Sequence, residues 1–512
     1  MQYLHRSVFA GLAGLALAFS MIAGDARAAP AVNKDTVVMA LRAEIYNLDP
    51  LVTATGDSQR WGLQMYDSLY TFDSKGKLLP QLATSYKISD DGLHYTYVLR
   101  DGVKFHNGDA LSSADVKFSM DWILNPKTKS TRRPQFAQLI ESVDTPDART
   151  VVFNLRTRDG AFLNKIAGYL FIIPKAYCEK LAAPEDFAKA PVGSGPFKFV
   201  EQQIGQFTKI ERFDGYWGPK PQVKTIIYKV IPEPTSRVNA LLSGEVDISE
   251  GIPTNQVASL KKEAGIDVLP TPIGSPLAVR LYSDDPESPL SKRDVRLALN
   301  YAIDVNAIIK SVFHGIGAPM ATYISKYYPI GVDPALQPYG YDPKKAKALL
   351  AAAGYPNGFE IKMYSASDMP KELAEAVVAY WSQVGVRARV QYMDYAAWSR
   401  INNTHATAPM TIMQFSNAIW DPLHPVQGAA AKDGTWSNYS NPEVEKLLLQ
   451  AQGTEDAAGR DRIFKQIGRV LHDDAQSVLI TELFYVFGKK RDLEWEPQSG
   501  IAWYNLRNLK WK

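Results

Sequence analysis

One cysteine, Cys178, stands in the whole chain. An internal disulfide is thereby excluded, and stability must rest on burial of apolar surface. Charge is also nearly absent as a signal. The net +3 over 512 residues leaves neither a nucleic-acid footprint nor a polybasic patch for a membrane surface. The histidines beyond the N-terminus (His94, His106, His314, His405, His424, His472) are scattered, with no pair at helical ligand spacing, so a zinc site is not expected. Gly193-Ser194-Gly195 lacks the Gly-Lys-Ser/Thr of a phosphate loop, and its glycines are too close to the serine for a nucleophile elbow. Carboxylates are plentiful, but no acid/base pair stands out, and no catalytic residue is assigned. Low-complexity tracts and repeats are missing as well.

Long apolar runs are confined to the N-terminus. His5 and Arg6 precede the run 8–23, and Ala26-Arg27-Ala28 is a small-x-small cleavage pattern. This predicts a secretory signal peptide, 1–28, cut after Ala28. A membrane anchor is the alternative, but the run falls short of about 20 residues and contains Gly11, Gly14 and Ser20. Because no cysteine follows the cut, no lipid anchor is expected. The exported protein should be free of the membrane, in a compartment without ATP or NAD.

Length alone calls for two or three domains. The segment 35–43 alternates as a first strand, and 60–70 carries Trp61, Met65 and Leu69 at helical spacing. Between 79 and 155 short strands at 85–88, 94–99, 103–106 and 150–155 surround a helix capped by Ser112 or Ser113, which reads as a small α+β unit. From 277 onwards strands at 277–282, 359–364, 386–392, 411–415 and 478–487 alternate with helices at 294–302, 344–353, 372–384, 396–402, 443–450 and 460–473. That alternation indicates α/β layers. The strands 277–282 and 478–487 lead into and out of this half, so it is inserted into the first. Two lobes joined by two crossovers form a hinge with a cleft between them.

The stretch 410–422 passes from an apolar strand into a polar turn ending at Asp421-Pro422, where Pro422 should keep the chain extended. Ligands of open α/β sheets sit beyond the carboxyl ends of strands. Phe415, Ser416, Asn417, Trp420 and Asp421 are therefore candidate pocket residues. Ten Trp and 26 Tyr exceed what the cores require, which adds Tyr66, Trp436 and Tyr439 as candidate aromatic contacts. Arg132, Arg133 and Arg400 are candidates for an anionic ligand group, with a solvated surface position as the plainer reading of each.

The run Leu79-Pro80-Gln81-Leu82-Ala83, the stretch from Asp91-Gly92-Leu93-His94-Tyr95 to Phe105-His106-Asn107-Gly108, and Ala114-Asp115-Val116 together resemble the periplasmic solute-binding proteins of peptide/opine/nickel ABC importers. Gly193-Ser194-Gly195-Pro196-Phe197, Gly215-Tyr216-Trp217-Gly218, Val295-Arg296-Leu297-Ala298-Leu299-Asn300-Tyr301-Ala302-Ile303-Asp304, Tyr341-Asp342-Pro343 and Asn438-Tyr439-Ser440-Asn441-Pro442-Glu443 follow in the family's order. The resemblance implies a two-lobed α/β periplasmic-binding-protein fold with hinge strands and an extra α+β subdomain. Its divisions are 29–78, 192–276 and 488–512 for the first lobe, 79–191 for the subdomain and 277–487 for the second lobe. It implies a non-enzymatic binding protein; from the residues themselves a monomer without cofactor or metal is expected. Such a protein delivers a small solute to permease transmembrane subunits, with ATP hydrolysed by cytoplasmic ATPase subunits. In peptide-binding members the loop matching 415–422 carries an aspartate for the peptide's amino terminus; aligned on Asp421-Pro422, that position is Ala418. Asp421 or Glu44 is left as a substitute acid, and peptide, opine and metal chelate all stay open. A secreted hydrolase, a periplasmic chaperone and a ligand receptor for a sensor are the alternatives.

Overall fold

The structure, a computed structural model, describes residues 34–53, 56–404, 409–415 and 417–512. The expected export signal at 1–28, together with His405 and Ser416, lies outside the described residues.

Thr36–Leu41 is a β-branched, apolar run of the kind that fills a sheet covered on both faces. It lies parallel to Thr225–Val230 and to Ile248–Ser249. Phe207–Arg212 and Phe197–Gln203 extend the sheet antiparallel to the edge. In the second lobe Glu360–Ala366 runs parallel to Arg387–Met393 and Met410–Gln414. Helices Lys371–Ser382 and Tyr395–Asn403 make the crossovers that parallel pairing requires.

Two long strands, Ile266–Leu281 and Ser477–Lys490, pair antiparallel through both lobes and join their sheets. The first begins at Ile266, ahead of the expected 277–282. Its ladder slips between Pro272 and Pro276 and again between Leu277 and Ala278. Prolines have no N–H for the ladder, and Gly274 between them has φ +63°, so the bend falls where pairing is weakest. Along this strand the faces alternate: Leu277, Val279 and Leu281 enter one second-lobe core, and Ala278 enters the other with Met413, Phe415 and Phe464.

The extra subdomain is a four-stranded antiparallel sheet in the order Ala83–Ile88, His94–Leu99, Thr150–Leu155, Ile140–Asp147. Its Tyr95, Tyr97 and Phe153 share one core with the first lobe's Trp61 and Tyr66. The strand expected at 103–106 reduces to a single bridge between Lys104 and Ala110, because the positive-φ turns at Gly102 and Gly108 curl the segment back. Among the described residues no helix is long and apolar enough to cross a membrane.

Candidate functional site

The loop after Met410–Gln414 is held by its own polar side chains. Asn417 Oδ1 accepts the Ile419 N–H at 2.9 Å, and its amide donates to the Asp421 carbonyl at 2.9 Å. Asp421 Oδ1 accepts the Leu423 N–H at 2.9 Å and Arg460 Nη2 at 2.8 Å, while Oδ2 accepts Arg460 Nη1 at 2.5 Å. The bidentate pair is buried on both sides, so the charge of Asp421 is already matched by Arg460 inside the protein. Pro422 does not prolong an extended loop, as expected, but sits at φ −64°, ψ −19° and starts the helix Leu423–Ala430.

Between these two staples the chain projects Trp420 towards the first lobe. Its φ of +48° is left-handed, a conformation that costs a non-glycine residue roughly 1–2 kcal/mol. The indole is fully buried, stacks on Trp503 at 6.1 Å and 21°, and is tilted against Phe72 at 5.7 Å. It lies over Gly76, where a Cβ would come within 2.3 Å of the ring. Its Nε1–H has no hydrogen-bond partner. The first lobe also grips the loop backbone: Asn164 donates to the Ile419 carbonyl at 2.8 Å, and Trp503 Nε1 to the Ala418 carbonyl at 3.4 Å. Beyond this, the Gly160 N–H meets the Gln452 carbonyl at 2.8 Å.

The opposite wall lies past the carboxyl ends of Thr36–Leu41 and Thr225–Val230. Arg60 bridges Glu250 Oε2 at 3.0 Å and the Ala502 carbonyl at 3.0 Å, with its guanidinium 4.5 Å from the Tyr485 ring centroid. A recess beside it is lined by Glu44, Arg60, Trp61, Tyr228, Glu250 and Tyr504. Glu44 accepts the Gly205 N–H at 3.0 Å and is half-buried at its edge. Tyr228 and Trp61 are buried there with a hydroxyl and an indole N–H that have no partner. Burial pushes the Tyr228 hydroxyl well up and keeps it neutral. Behind the loop, burial drives His424 down to about 4, helped by Lys165 nearby, so it is a neutral wall residue.

The expected residues divide accordingly. Phe415, Asn417, Trp420 and Asp421 lie together in the loop. Trp436 packs edge-on against Phe415 at 5.7 Å. Three expectations need correcting. Tyr66 is fully buried in the first lobe's core, with its hydroxyl bonded to the Leu48 carbonyl at 3.0 Å. Tyr439 is packed into the second lobe's helical core, and Arg400 is exposed on Tyr395–Asn403. Sequence reading missed Phe72, Arg60, Tyr485 and Trp503, which come from four separate parts of the chain. Among the described residues there is no cluster of three or more His, Cys, Asp or Glu able to hold a metal.

Comparison with known proteins agrees with this geometry. Residues 77–437 match the model of bacterial extracellular solute-binding proteins, family 5. The glutathione-binding protein GsiB of Pectobacterium atrosepticum is 31% identical over 479 residues, 87% of this chain and 88% of its own length. Heme-binding protein A of Haemophilus influenzae is 30% identical over 449 residues, 80% of each chain. Among solved structures, the periplasmic binding protein DppA of Helicobacter pylori with the peptide STSA has a TM-score of 0.81 at 26% identity, covering 93% of this chain and 98% of that one. AgaA of Agrobacterium tumefaciens R10, with agropinic acid, has a TM-score of 0.78 at 29% identity, covering 93% and 99%. Two lobes, a clasped inter-lobe loop and the family match lead to one conclusion: this chain belongs to the family 5 bacterial extracellular solute-binding proteins, the non-enzymatic substrate-capturing components of ABC importers.

Proposed function

We propose that the protein binds a small organic solute between the 415–421 loop and the wall carrying Arg60, Tyr485 and Trp503, and that the group presented to Ala418 is neutral or acidic rather than a free ammonium. The observation that carries this reading is the double loss of acid at the loop. Position 418 is alanine, and the Asp421 carboxylate is spent on Arg460 and the Leu423 N–H. A buried ammonium without a partner costs several kcal/mol. Glu44 is held to Gly205 and lies across the cleft from the loop. Opine-like conjugates and N-blocked peptide-like compounds meet the condition; free-amine peptides do not. Trp420, packed between Phe72 and Trp503, fixes the loop against the first lobe beside such a solute, and Phe415 packs on Trp436 in the second lobe. The unpartnered N–H of Trp420 suits a ligand acceptor.

The remainder of the reading follows the family. The chain is exported to the periplasm, loses 1–28, carries no lipid anchor and acts as a monomer. Lobe 277–487 closes on 29–78, 192–276 and 488–512, with 79–191 as the added subdomain. The closed form hands its solute to the permease, and ATP is hydrolysed on the cytoplasmic side. The test is calorimetry and tryptophan fluorescence with agropinic acid, a dipeptide and the same dipeptide N-acetylated. Agropinic acid or the acetylated peptide should bind at least tenfold more tightly than the free-amine form. Tighter binding of the free dipeptide would overturn the reading.

A further inference from the structure

Arg280 lies on Ile266–Leu281 with no solvent exposure at all. Its Nη2 donates to Asn402 Oδ1 at 3.0 Å and to the Tyr282 hydroxyl, and the guanidinium stands 4.6 Å from the Tyr282 ring centroid. Nε and Nη1 have no partner. No carboxylate forms an ion pair with it among the described residues. Asp284, the nearest acid along the chain, is exposed and bonded to Asn438 at 3.3 Å.

The polar groups on the surrounding elements are already committed. The Asn402 amide donates to the Trp398 carbonyl at 2.9 Å, and Trp398 Nε1 donates to Thr411 Oγ1 at 2.9 Å. Thr411 and Ser477 are the cross-strand neighbours of Arg280 on either side. Thr411 Oγ1 donates to the Tyr364 carbonyl at 3.3 Å, and Ser477 Oγ to Gln476 Oε1 at 2.9 Å. The Tyr323 hydroxyl is likewise bonded to Gln476 at 2.5 Å. None is free to turn towards the guanidinium, and none carries negative charge. An arginine cannot shed its proton in a protein, so burial leaves a full positive charge with three unsatisfied N–H groups. Water would satisfy a donor but not the charge.

We propose that Arg280 is the binding site of a small inorganic monoanion of the halide class, enclosed between the second-lobe sheet and the helix Tyr395–Asn403. The size limit follows from burial: Arg280 has no exposed surface, so whatever lies against its guanidinium is no larger than a bare ion and cannot be the body of an organic solute. Position separates it from the solute cleft as well. Ala278 pairs with Met413, whereas Arg280 pairs with Thr411, two residue pairs further from the 415–421 loop. The anion would neutralise the second lobe's interior and fasten Asn402, and hence the helix, to the sheet.

The test uses the full chain with chloride exchanged for gluconate at constant ionic strength. The Tm of the wild type should rise with the logarithm of chloride concentration, as for any ligand bound only by the folded state. That slope should vanish in Arg280→Leu and Arg280→Gln. Crystals of the wild type grown with bromide should show an anomalous peak beside Nε or Nη1. This arm needs no variant, so it decides the matter even if both substitutions fail to fold. A featureless or water-sized peak there, or an equal chloride slope in wild type and a folded variant, would overturn the proposal.

Discussion

At the scale of single residues, the cleft is shaped as much by groups withdrawn from it as by groups offered to it. Asp421 looks like a ligand anchor in the sequence, yet both its oxygens hold Arg460. Breaking a buried pair from one side leaves an uncompensated charge, at a cost of about 3–5 kcal/mol. Asp421→Ala should therefore lower stability by that order in denaturant unfolding and abolish solute binding with it. Replacing both partners, as in Asp421→Asn with Arg460→Met, should recover most of the stability. The imidazoles add a pH dependence. His106 accepts the Gly193 N–H on Nδ1 at 3.1 Å and meets the Gly195 carbonyl through Nε2 at 3.0 Å, an arrangement for a neutral ring. Burial holds His106 down at about 4, as it does His424. The unfolded chain binds these protons first, so stability is full above pH 6.5 and falls as pH drops towards 4. Asp49 acts in the opposite sense: burial raises it to about 6, so its contribution is lost as pH rises from 4 to 6. Thermal melts of His106→Gln/His424→Gln should show less loss of Tm between pH 6.5 and 4.5 than the wild type, whereas Asp49→Asn should steepen that loss.

At the scale of elements, the loop 415–421 meets the helix Phe162–Tyr169 across the cleft. Gly168 makes room for it, since a Cβ there would stand 2.7 Å from the Ala418 carbonyl and 2.8 Å from Ile419 Cγ2. Gly168→Val should leave the open protein folded, with Tm lowered by only a few degrees, but block the approach of the lobes. Solute affinity should fall more than tenfold in calorimetry, although Gly168 need touch no solute. Asn164→Ala removes only the bond to Ile419 and should weaken binding by a few-fold. The elements themselves were largely legible in the chain. The helix Ser113–Leu124 announced itself through Ser112 and Asp115, and Pro343–Ala352 through its alanines and Gly354. The strand Ile140–Asp147 was not legible, because IESVDTPD is mostly polar and owes its extension to pairing with Thr150–Leu155. The helix Leu423–Ala430 was hidden by two prolines, which its first turn tolerates. In the same way the loop half of the cleft could be read locally. The other half could not, because Phe72, Arg60, Tyr485 and Trp503 meet only after residues hundreds of positions apart have folded together.

At the scale of the whole molecule, capture depends on what the two crossover strands allow. Their ladder is interrupted between Pro272 and Pro276, where Tyr328 donates to the Gly274 carbonyl at 2.6 Å and Gly500 donates to the Pro272 carbonyl at 2.8 Å. The break is therefore seated against both a second-lobe tyrosine and the first lobe's C-terminal segment. Closure is then an equilibrium that the solute biases by its differential affinity for the two states. A change at the hinge must alter apparent affinity even when every pocket contact is kept. Gly274 is the position to test. Its φ of +63° disfavours any side chain, and a Cβ would stand 2.2 Å from the Gly500 carbonyl. Gly274→Ala can relieve that clash only by moving the C-terminal segment away from the hinge, which also withdraws Trp503 from Trp420. The variant should be displaced towards the open form. In small-angle scattering its radius of gyration without solute should match or exceed that of the wild type, and it should need more solute to contract. If opening and closing is the only step affected, the contracted state at saturation will be identical in both proteins, and the loss will appear as a weaker Kd alone. A variant that binds as tightly as the wild type while staying expanded would show that the 272–276 break is not the hinge.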